Sequence, residues 1–87
     1  MYRVLFSRKA ERAIEKIPKD YQRRIKEAVT SLSVNPRRFG VIKITGASKA
    51  DQRLRIGEYR ILFKIDDEKK TVIIADIKRR TSTTYRY

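Results

Sequence analysis

Two arginines that a predicted β-hairpin sets side by side are the first candidates for chemistry. The β-prone segments Gln52–Ile56 and Tyr59–Ile65 flank Gly57-Glu58, and this pair suits a two-residue type II′ turn, in which glycine comes first. The turn sets the register, so that Arg55 lies directly opposite Arg60. Like charges in that position destabilise a sheet, whereas planar guanidinium groups suit bidentate binding of a phosphate. The hairpin therefore predicts a phosphate-binding clamp.

The rest of the hairpin extends this basic face. Alternation along the strands predicts that the helices cover Leu54, Ile56, Tyr59 and Ile61, and that the opposite face carries Arg53, Arg55, Arg60, Leu62 and Lys64. Residues 37–64 hold eight basic and two acidic side chains, which favours an anionic ligand. The alternative is a solvated sheet face on which arginine stems cover apolar surface, and it applies above all to Arg53 and Lys64.

The C-terminal segment is a second candidate site. It carries basic and aromatic side chains with no acid among them, namely Lys78, Arg79, Arg80, Tyr85, Arg86 and Tyr87. Bases stack on aromatic rings while phosphates meet guanidinium groups, so this mixture favours RNA. Cations close to Tyr85 would lower the pKa of its phenol from the usual value of about 10, which would let it help to deprotonate a ribose 2′-hydroxyl. The alternative is a disordered or docking tail.

Composition limits the remaining chemistry. The 87 residues suffice for a single domain, 1–87, and contain neither cysteine nor histidine. We therefore expect no metal site and no cofactor, and no histidine serves as general base. The net charge of +13 opposes folding and indicates a polyanionic partner, with nucleic acid first and an acidic protein second. No apolar run suits a membrane span or a secretory signal, so we expect a cytoplasmic protein without a membrane partner.

The surrounding elements follow from apolar periodicity. A β-prone segment, Tyr2–Phe6, precedes Ser7, which suits an N-cap. Two amphipathic helices are predicted, the first with apolar residues at 10, 13, 14 and 17 up to Pro18, the second from near Asp20 to Asn35-Pro36. Further strands are predicted at Val41–Ile44 and Thr71–Lys78. The fold class is α+β, with an N-terminal strand and a helical hairpin packed on one face of a mostly antiparallel β-sheet.

One stretch resembles a known family. Arg53–Phe63, with its Gly-Glu-Tyr-Arg element at 57–60, resembles the central strand signature of the RelE/ParE toxin superfamily. The order of elements and the Ser7…Ala10…Ile17-Pro18 spacing resemble that family too, so the likeness covers nearly the whole chain. It implies a RelE-like fold and a toxin that cleaves mRNA in the ribosomal A site by metal-independent attack of the 2′-hydroxyl. It also implies neutralisation by an acidic, RelB-like antitoxin.

The resemblance assigns roles to individual residues. Arg60 and Arg79 match arginines that bind the scissile phosphate, and Tyr85 matches a tyrosine that assists 2′-hydroxyl attack. Arg53 falls where nuclease members often have a catalytic lysine, whereas Asp51 stands where some members have another lysine. Further RNA-binding residues are expected at Arg55, Lys64, Lys78, Arg80 and Lys43. The nuclease hypothesis requires Arg60 and Arg79 to converge on one ribose–phosphate linkage.

Two other functions are compatible with the sequence. A gyrase-inhibiting toxin of the same superfamily would bind a protein, would lack nuclease activity and would need neither Arg79 nor Tyr85. A non-catalytic RNA-binding protein, such as a ribosomal component, would bind RNA with a steep salt dependence and leave it intact.

Overall fold

Seven elements make up the described part of the chain. The computed structural model describes residues 1–44 and 50–79, so the predictions for Arg80, Tyr85, Arg86 and Tyr87 lie outside it. The elements are β1 (Arg3–Phe6), α1 (Arg8–Glu15), α2 (Lys19–Val34), β2 (Val41–Lys43), β3 (Gln52–Ile56), β4 (Tyr59–Asp66) and β5 (Thr71–Arg79). The five strands form one sheet in the order β1-β5-β4-β3-β2. Strand β1 runs parallel to β5, and the other neighbours are antiparallel. The predicted fold class is confirmed.

Ser7 starts the first helix and ties it to the sheet. Its hydroxyl oxygen accepts a hydrogen bond from the amide of Ala10 at 3.1 Å, as an N-cap does, and donates to the carbonyl oxygen of Ala75 at 2.7 Å. The side-chain amide of Gln22 then joins the helices, because it donates to the carbonyl oxygens of Ile14 (2.8 Å) and Ile17 (3.0 Å) near the end of α1. The carbonyl oxygen of Ile14 also accepts from the amide of Ile17 at 3.2 Å, so Gln22 adds to the hydrogen bonds that end the helix.

The core lies between both helices and one face of the sheet. Its largest fully buried side chains are Ile25, Leu32, Leu54, Ile61, Phe63, Val72 and Ile74. Each such side chain contributes about 1.5–3 kcal/mol through removal of apolar surface from water. Because both helices pack on the same face, neither covers the other face of β3 and β4. In the described ranges, neither helix is long and apolar enough to cross a membrane.

Candidate functional site

The β3–β4 hairpin has the register that the sequence predicts. The pairs are Ile56–Tyr59, Arg55–Arg60, Leu54–Ile61 and Arg53–Leu62. Gly57 has a φ of 58°, as the first central position of a type II′ turn requires. A Cβ atom there would lie 2.5 Å from the hydroxyl oxygen of Tyr21, so the glycine also lets α2 approach the turn closely.

Lys78 extends the arginine pair into a row of three cations. Arg60 of β4 pairs with Arg55 of β3 on one side and with Lys78 of β5 on the other. Neighbouring strands lie about 4.8 Å apart, so the three side chains rise close together. They leave the face that points away from the helices, because the residues that alternate with them, Leu54, Ile61 and Ile77, are buried in the core. We call Arg55, Arg60 and Lys78 the cationic row.

Arg60 is the least satisfied member of the cationic row. Its Nε atom is buried and has no hydrogen-bond partner among residues 1–44 and 50–79. Arg55, in contrast, donates from Nε to the carbonyl oxygen of Gly57 at 3.2 Å. A buried donor without a partner costs about 1–3 kcal/mol, and repulsion between like charges on adjacent strands adds to that cost. An anion bound between these side chains would reduce the repulsion between them.

A β-bulge shifts the register of β5 by one residue. Phe63 of β4 pairs with Ile74, whereas the residue before it, Leu62, pairs with Asp76. Ala75 is therefore an extra residue in β5. A shift of one residue exchanges the two faces of a strand, so every side chain of β5 beyond the bulge points to the side opposite to the one it would otherwise take.

This bulge separates Arg79 from Arg60, and the prediction that their side chains converge is wrong. Lys78 takes the place opposite Arg60, and Arg79 lies opposite Tyr59, which is buried in the core on the helix side. The Arg79 guanidinium donates a hydrogen bond of 3.2 Å to the carboxylate of Glu58. The side chains of Arg60 and Arg79 therefore project from opposite faces of the sheet.

Arg79 instead borders a groove beside α1. The groove has a volume of about 480 Å³, and its lining includes the basic side chains Lys9, Arg12 and Lys16 and the apolar residues Ala13, Ile17, Tyr59 and Ile77. It lies on the helix side of the sheet, so a strand of RNA on the cationic row would not reach it without crossing the sheet edge.

The remaining predicted site residues divide between the two faces. Arg53 pairs with Leu62 and Lys64 pairs with Ile73, and alternation along the strands sets both on the face of the cationic row. Lys64 lies four residues from Arg60, about 13 Å along the strand. Lys43 pairs with Gln52 and alternates with Ile42, so it belongs to the other face. Lys43 is therefore separated from the cationic row, and RNA binding by Lys43 stays a prediction.

Asp76 is the residue that sequence analysis missed. One carboxylate oxygen accepts a hydrogen bond from the amide of the next residue, Ile77, at 2.8 Å, and the other lies 3.6 Å from the ammonium of Lys9 on α1. A short acidic side chain that binds its own backbone competes with regular ladder pairing. An aspartate inside an otherwise apolar β-strand was therefore the signal that could have indicated the bulge beside it.

Comparison with known families identifies the chain. Residues 4–83 match the family model described as ParE toxin of type II toxin-antitoxin system, parDE. The chain belongs to the RelE/ParE superfamily of type II toxins. A search of curated protein sequences gave no significant match.

Solved structures agree with this assignment of the chain to the toxin superfamily. In the crystal structure of the toxin–antitoxin complex RelBE2 from Mycobacterium tuberculosis, a chain with 31% sequence identity matches at a TM-score of 0.80, covering 91% of the toxin and 98% of that chain. The archaeal RelE–RelB complex from Pyrococcus horikoshii matches with 30% identity and a TM-score of 0.78, covering 93% and 97%. The isolated RelE toxin of E. coli shares the fold, with 17% identity, a TM-score of 0.80 and coverage of 97% and 89%.

A polar network at the other end of the toxin holds the segment before β2. The guanidinium of Arg37 donates two hydrogen bonds to the carboxylate of Asp67, at 3.1 and 2.9 Å, and the hydroxyl of Tyr2 donates a third at 2.7 Å. The Arg37 hydrogen bonds, followed by the one from Tyr2, lower the pKa of Asp67 from 3.8 to about 2. The same contact to Asp67 raises the pKa of Tyr2. The network therefore requires an ionised Asp67.

The described ranges of the toxin contain no group of three acidic side chains placed to hold a metal ion. The basic residues of these ranges instead offer guanidinium and ammonium groups, which bind phosphate and carboxylate.

Proposed function

We propose that the toxin is an endoribonuclease that cleaves mRNA in the ribosomal A site, with the cationic row bound to the scissile phosphate. The observation that supports this most is the position of Arg60 between Arg55 and Lys78, with a buried Nε that lacks a described acceptor. A phosphate group accepts hydrogen bonds from guanidinium and ammonium groups and offsets the repulsion between the three cations.

The proposed reaction uses the RNA's own nucleophile. The ribose 2′-oxygen attacks phosphorus, the bond from phosphorus to the 5′-oxygen breaks, and the products are a 2′,3′-cyclic phosphate and a 5′-hydroxyl end. We assign removal of the 2′-proton to Tyr85, which belongs to the C-terminal segment outside the described residues. The 5′-oxygen takes up a proton as it leaves, and we assign the ammonium of Lys78, which pairs with Arg60 across the β4–β5 ladder, as its donor.

Electrostatic stabilisation accounts for a large part of the expected rate. The pentavalent phosphorane gains negative charge on its non-bridging oxygens, and Arg60 is positioned to donate to them. One preorganised donor of this kind is worth about 3–4 kcal/mol of activation free energy. Alignment of the 2′-oxygen with the breaking bond adds several more. Much of this alignment would come from the ribosome, so we expect free RNA to be cut slowly.

The nuclease hypothesis in the form given by the sequence required Arg79 beside Arg60, and the strand register contradicts that form. The present proposal therefore needs a different second phosphate ligand. Sequence resemblance gave that role to Arg79, which the bulge places on the helix side opposite Tyr59. We assign the role to Lys78, the neighbour of Arg60 across the β4–β5 ladder. Arg53 and Arg55 then bind the RNA backbone next to the scissile linkage, and Lys64 binds further along it.

We also propose that an acidic antitoxin neutralises the toxin. The structures from M. tuberculosis and P. horikoshii are both toxin–antitoxin complexes, and the net charge of +13 favours a partner of opposite charge. The test is copurification with the product of the neighbouring gene. A stable complex whose affinity falls with salt is expected, whereas a basic or neutral partner, or none, would contradict this assignment.

Gyrase inhibition is the second candidate, because the matching family model is described as a ParE toxin and because Arg79 lies apart from the cationic row. One comparison separates the two functions. Purified toxin is added to programmed ribosomes, followed by mapping of mRNA ends, and in parallel to a DNA gyrase supercoiling reaction. The nuclease proposal expects new ends within the A-site codon and unchanged supercoiling. Intact mRNA with inhibited supercoiling would establish the gyrase function instead.

A further inference from the structure

Two side chains bind the backbone of β5 at its bulge. The hydroxyl of Ser7 donates a hydrogen bond of 2.7 Å to the carbonyl oxygen of Ala75, the extra residue of the strand. The carboxylate of Asp76 accepts a hydrogen bond of 2.8 Å from the amide of Ile77. A bulge disrupts the regular ladder of hydrogen bonds around it. Each of these side chains therefore binds a backbone group beside the disruption.

The position of Ser7 is fixed by the sheet and by helix α1. Its amide donates to the carbonyl oxygen of Ile74 at 2.9 Å, directly after the last β1–β5 pair, Phe6–Ile74. Its hydroxyl oxygen also accepts from the amide of Ala10 as the N-cap of α1. The hydroxyl therefore reaches Ala75 from a backbone that is held on both sides.

A β5 strand without the bulge would carry the register of its first half through to its end. That register would give the pairs Phe63–Ile74, Ile61–Asp76, Arg60–Ile77 and Tyr59–Lys78. An apolar side chain would then stand beside Arg60 in place of the ammonium of Lys78. The bulge is therefore required for the cationic row.

The residue types at positions 76 and 77 disfavour the regular register. In that register the carboxylate of Asp76 would lie opposite Ile61, which is fully buried in the core, and burial of an unpaired charge is costly. Ile77, which is only 5% exposed, would leave the core, so its burial would be lost. Both effects favour the bulged strand, and the hydrogen bonds of Ser7 and Asp76 add to them.

We propose that Ser7 and Asp76 are positioning residues for RNA cleavage, because they hold the bulge that places Lys78 beside Arg60. This inference rests on the proposed function, in which Lys78 is the second phosphate ligand and the proton donor. Ser7 and Asp76 act through Lys78 and not through contact with RNA. A misplacement of about 1 Å at a reacting group can cost about 100-fold in rate.

The first measurement reports the strand register directly. The chain contains no cysteine, so two introduced cysteines form one defined disulfide. Paired residues of antiparallel strands have Cα atoms about 4.5–5.5 Å apart, which is within disulfide range. Arg60→Cys with Lys78→Cys should cross-link under a thiol oxidant, whereas Arg60→Cys with Ile77→Cys should not. Added to these pairs, Ser7→Ala or Asp76→Ala should lower the yield of the first disulfide and raise that of the second.

The second measurement is the single-turnover rate of mRNA cleavage on saturating programmed ribosomes. Ser7→Ala and Asp76→Ala should each lower this rate by about 10- to 100-fold, up to the effect of Lys78→Ala. In a Lys78→Ala background neither substitution should lower the rate further, because residues that act through one another have non-additive effects. A general loss of stability would instead add to the effect of Lys78→Ala.

Two variants serve as controls for these measurements. Asp76→Asn keeps an oxygen that can accept from the amide of Ile77, so it should cleave like the unmodified toxin. Ser33→Ala removes a hydroxyl that donates to the carbonyl oxygen of Thr30 within α2, so it should leave the register and the rate unchanged. Asp76→Ala retains the N-cap of α1, so the test stands even where Ser7→Ala fails to fold.

The outcomes separate the inference from the proposed function. Disulfide yields that Ser7→Ala and Asp76→Ala leave unchanged would overturn the inference, because the two side chains would then not hold the register. A shifted disulfide with unchanged cleavage, or losses of rate that add to that of Lys78→Ala, would overturn it too. Intact mRNA with the unmodified toxin would contradict the proposed function instead, and this outcome depends on no variant.

Discussion

Arg60 combines an unsatisfied donor with two like-charged neighbours, and this arrangement costs stability in the free toxin. Its Nε is buried without a described partner, and Arg55 and Lys78 lie beside it on adjacent strands. Destabilising arrangements of this kind are typical of sites where function requires them. The row is therefore better explained by binding than by folding.

Lys78 and Arg79 are adjacent residues of equal charge on opposite faces, so they form a matched pair of variants. We predict that Lys78→Ala lowers the single-turnover cleavage rate on programmed ribosomes by about 100-fold, the effect of losing one donor at the developing charge. Arg79→Ala should lower it far less, because its guanidinium is bound to Glu58 on the helix side. A larger loss from Arg79→Ala than from Lys78→Ala would contradict the role of the bulge.

The amino-acid sequence predicted the positions of some site residues but not of others. The Arg55–Arg60 pair could be predicted because a two-residue turn with glycine first leaves only one register for the hairpin. The neighbour of Arg60 on β5 could not, because alternation alone does not reveal that Ala75 is an extra residue. That bulge depends on contacts distant in sequence, namely Ser7 with the carbonyl of Ala75 and Lys9 with Asp76.

At the scale of elements, helix α2 determines where the hairpin turn lies. The ring of Tyr21 packs edge-on against Tyr59, with 4.9 Å between centroids, and the guanidinium of Arg24 lies 4.8 Å from the Tyr21 ring centre. Tyr21 also occupies the space beside Gly57 that a Cβ atom would need. The helix thereby positions the strand ends that carry Arg55 and Arg60.

Gly57→Ala tests this contact. We predict a loss of about 2–4 kcal/mol in the free energy of unfolding, because alanine is strained at a φ of 58° and its methyl group overlaps Tyr21. In a Tyr21→Ala background the overlap is absent, so the same substitution should cost only about 1–2 kcal/mol. Urea unfolding of the four proteins measures both values. Equal losses in the two backgrounds would show that the tyrosine ring does not restrict this position.

The order of the elements could be predicted from the sequence, and most of their bounds to within a residue or two. The apolar spacing of both helices and the alternation along the strands are strong signals. The parallel pairing of β1 with β5 is not encoded in either strand alone. It results from the packing of α1 and α2, which carry the chain across one face of the sheet before β2 begins.

For the molecule as a whole, the net charge of +13 makes the few acidic contacts important for the folded state. Asp67, in the turn before β5, is bound to Tyr2 near the start of β1 and to Arg37 in the segment after α2. This network keeps three distant parts of the chain together at an exposed position.

The stability of the toxin should therefore depend on the ionisation of Asp67. Its pKa is lowered in the folded toxin, from 3.8 to about 2, so its contribution is present above pH 3.8 and is lost as the pH falls toward 2. We predict that Asp67→Asn unfolds at a lower temperature than the unmodified toxin at neutral pH and that the difference disappears at about pH 2. Thermal unfolding across this range measures it. A difference that stays constant down to the lowest pH would argue against an ionic network.

The central claim is that the cationic row binds the scissile phosphate, and Arg60→Ala on programmed ribosomes tests it most directly. We predict that the single-turnover rate of mRNA cleavage falls by about 100-fold or more. The free energy of unfolding should stay equal or rise, because the substitution removes a buried unsatisfied donor. Arg23→Ala, which removes an exposed arginine of α2, should leave the rate unchanged. Full cleavage by a correctly folded Arg60→Ala variant would contradict the account.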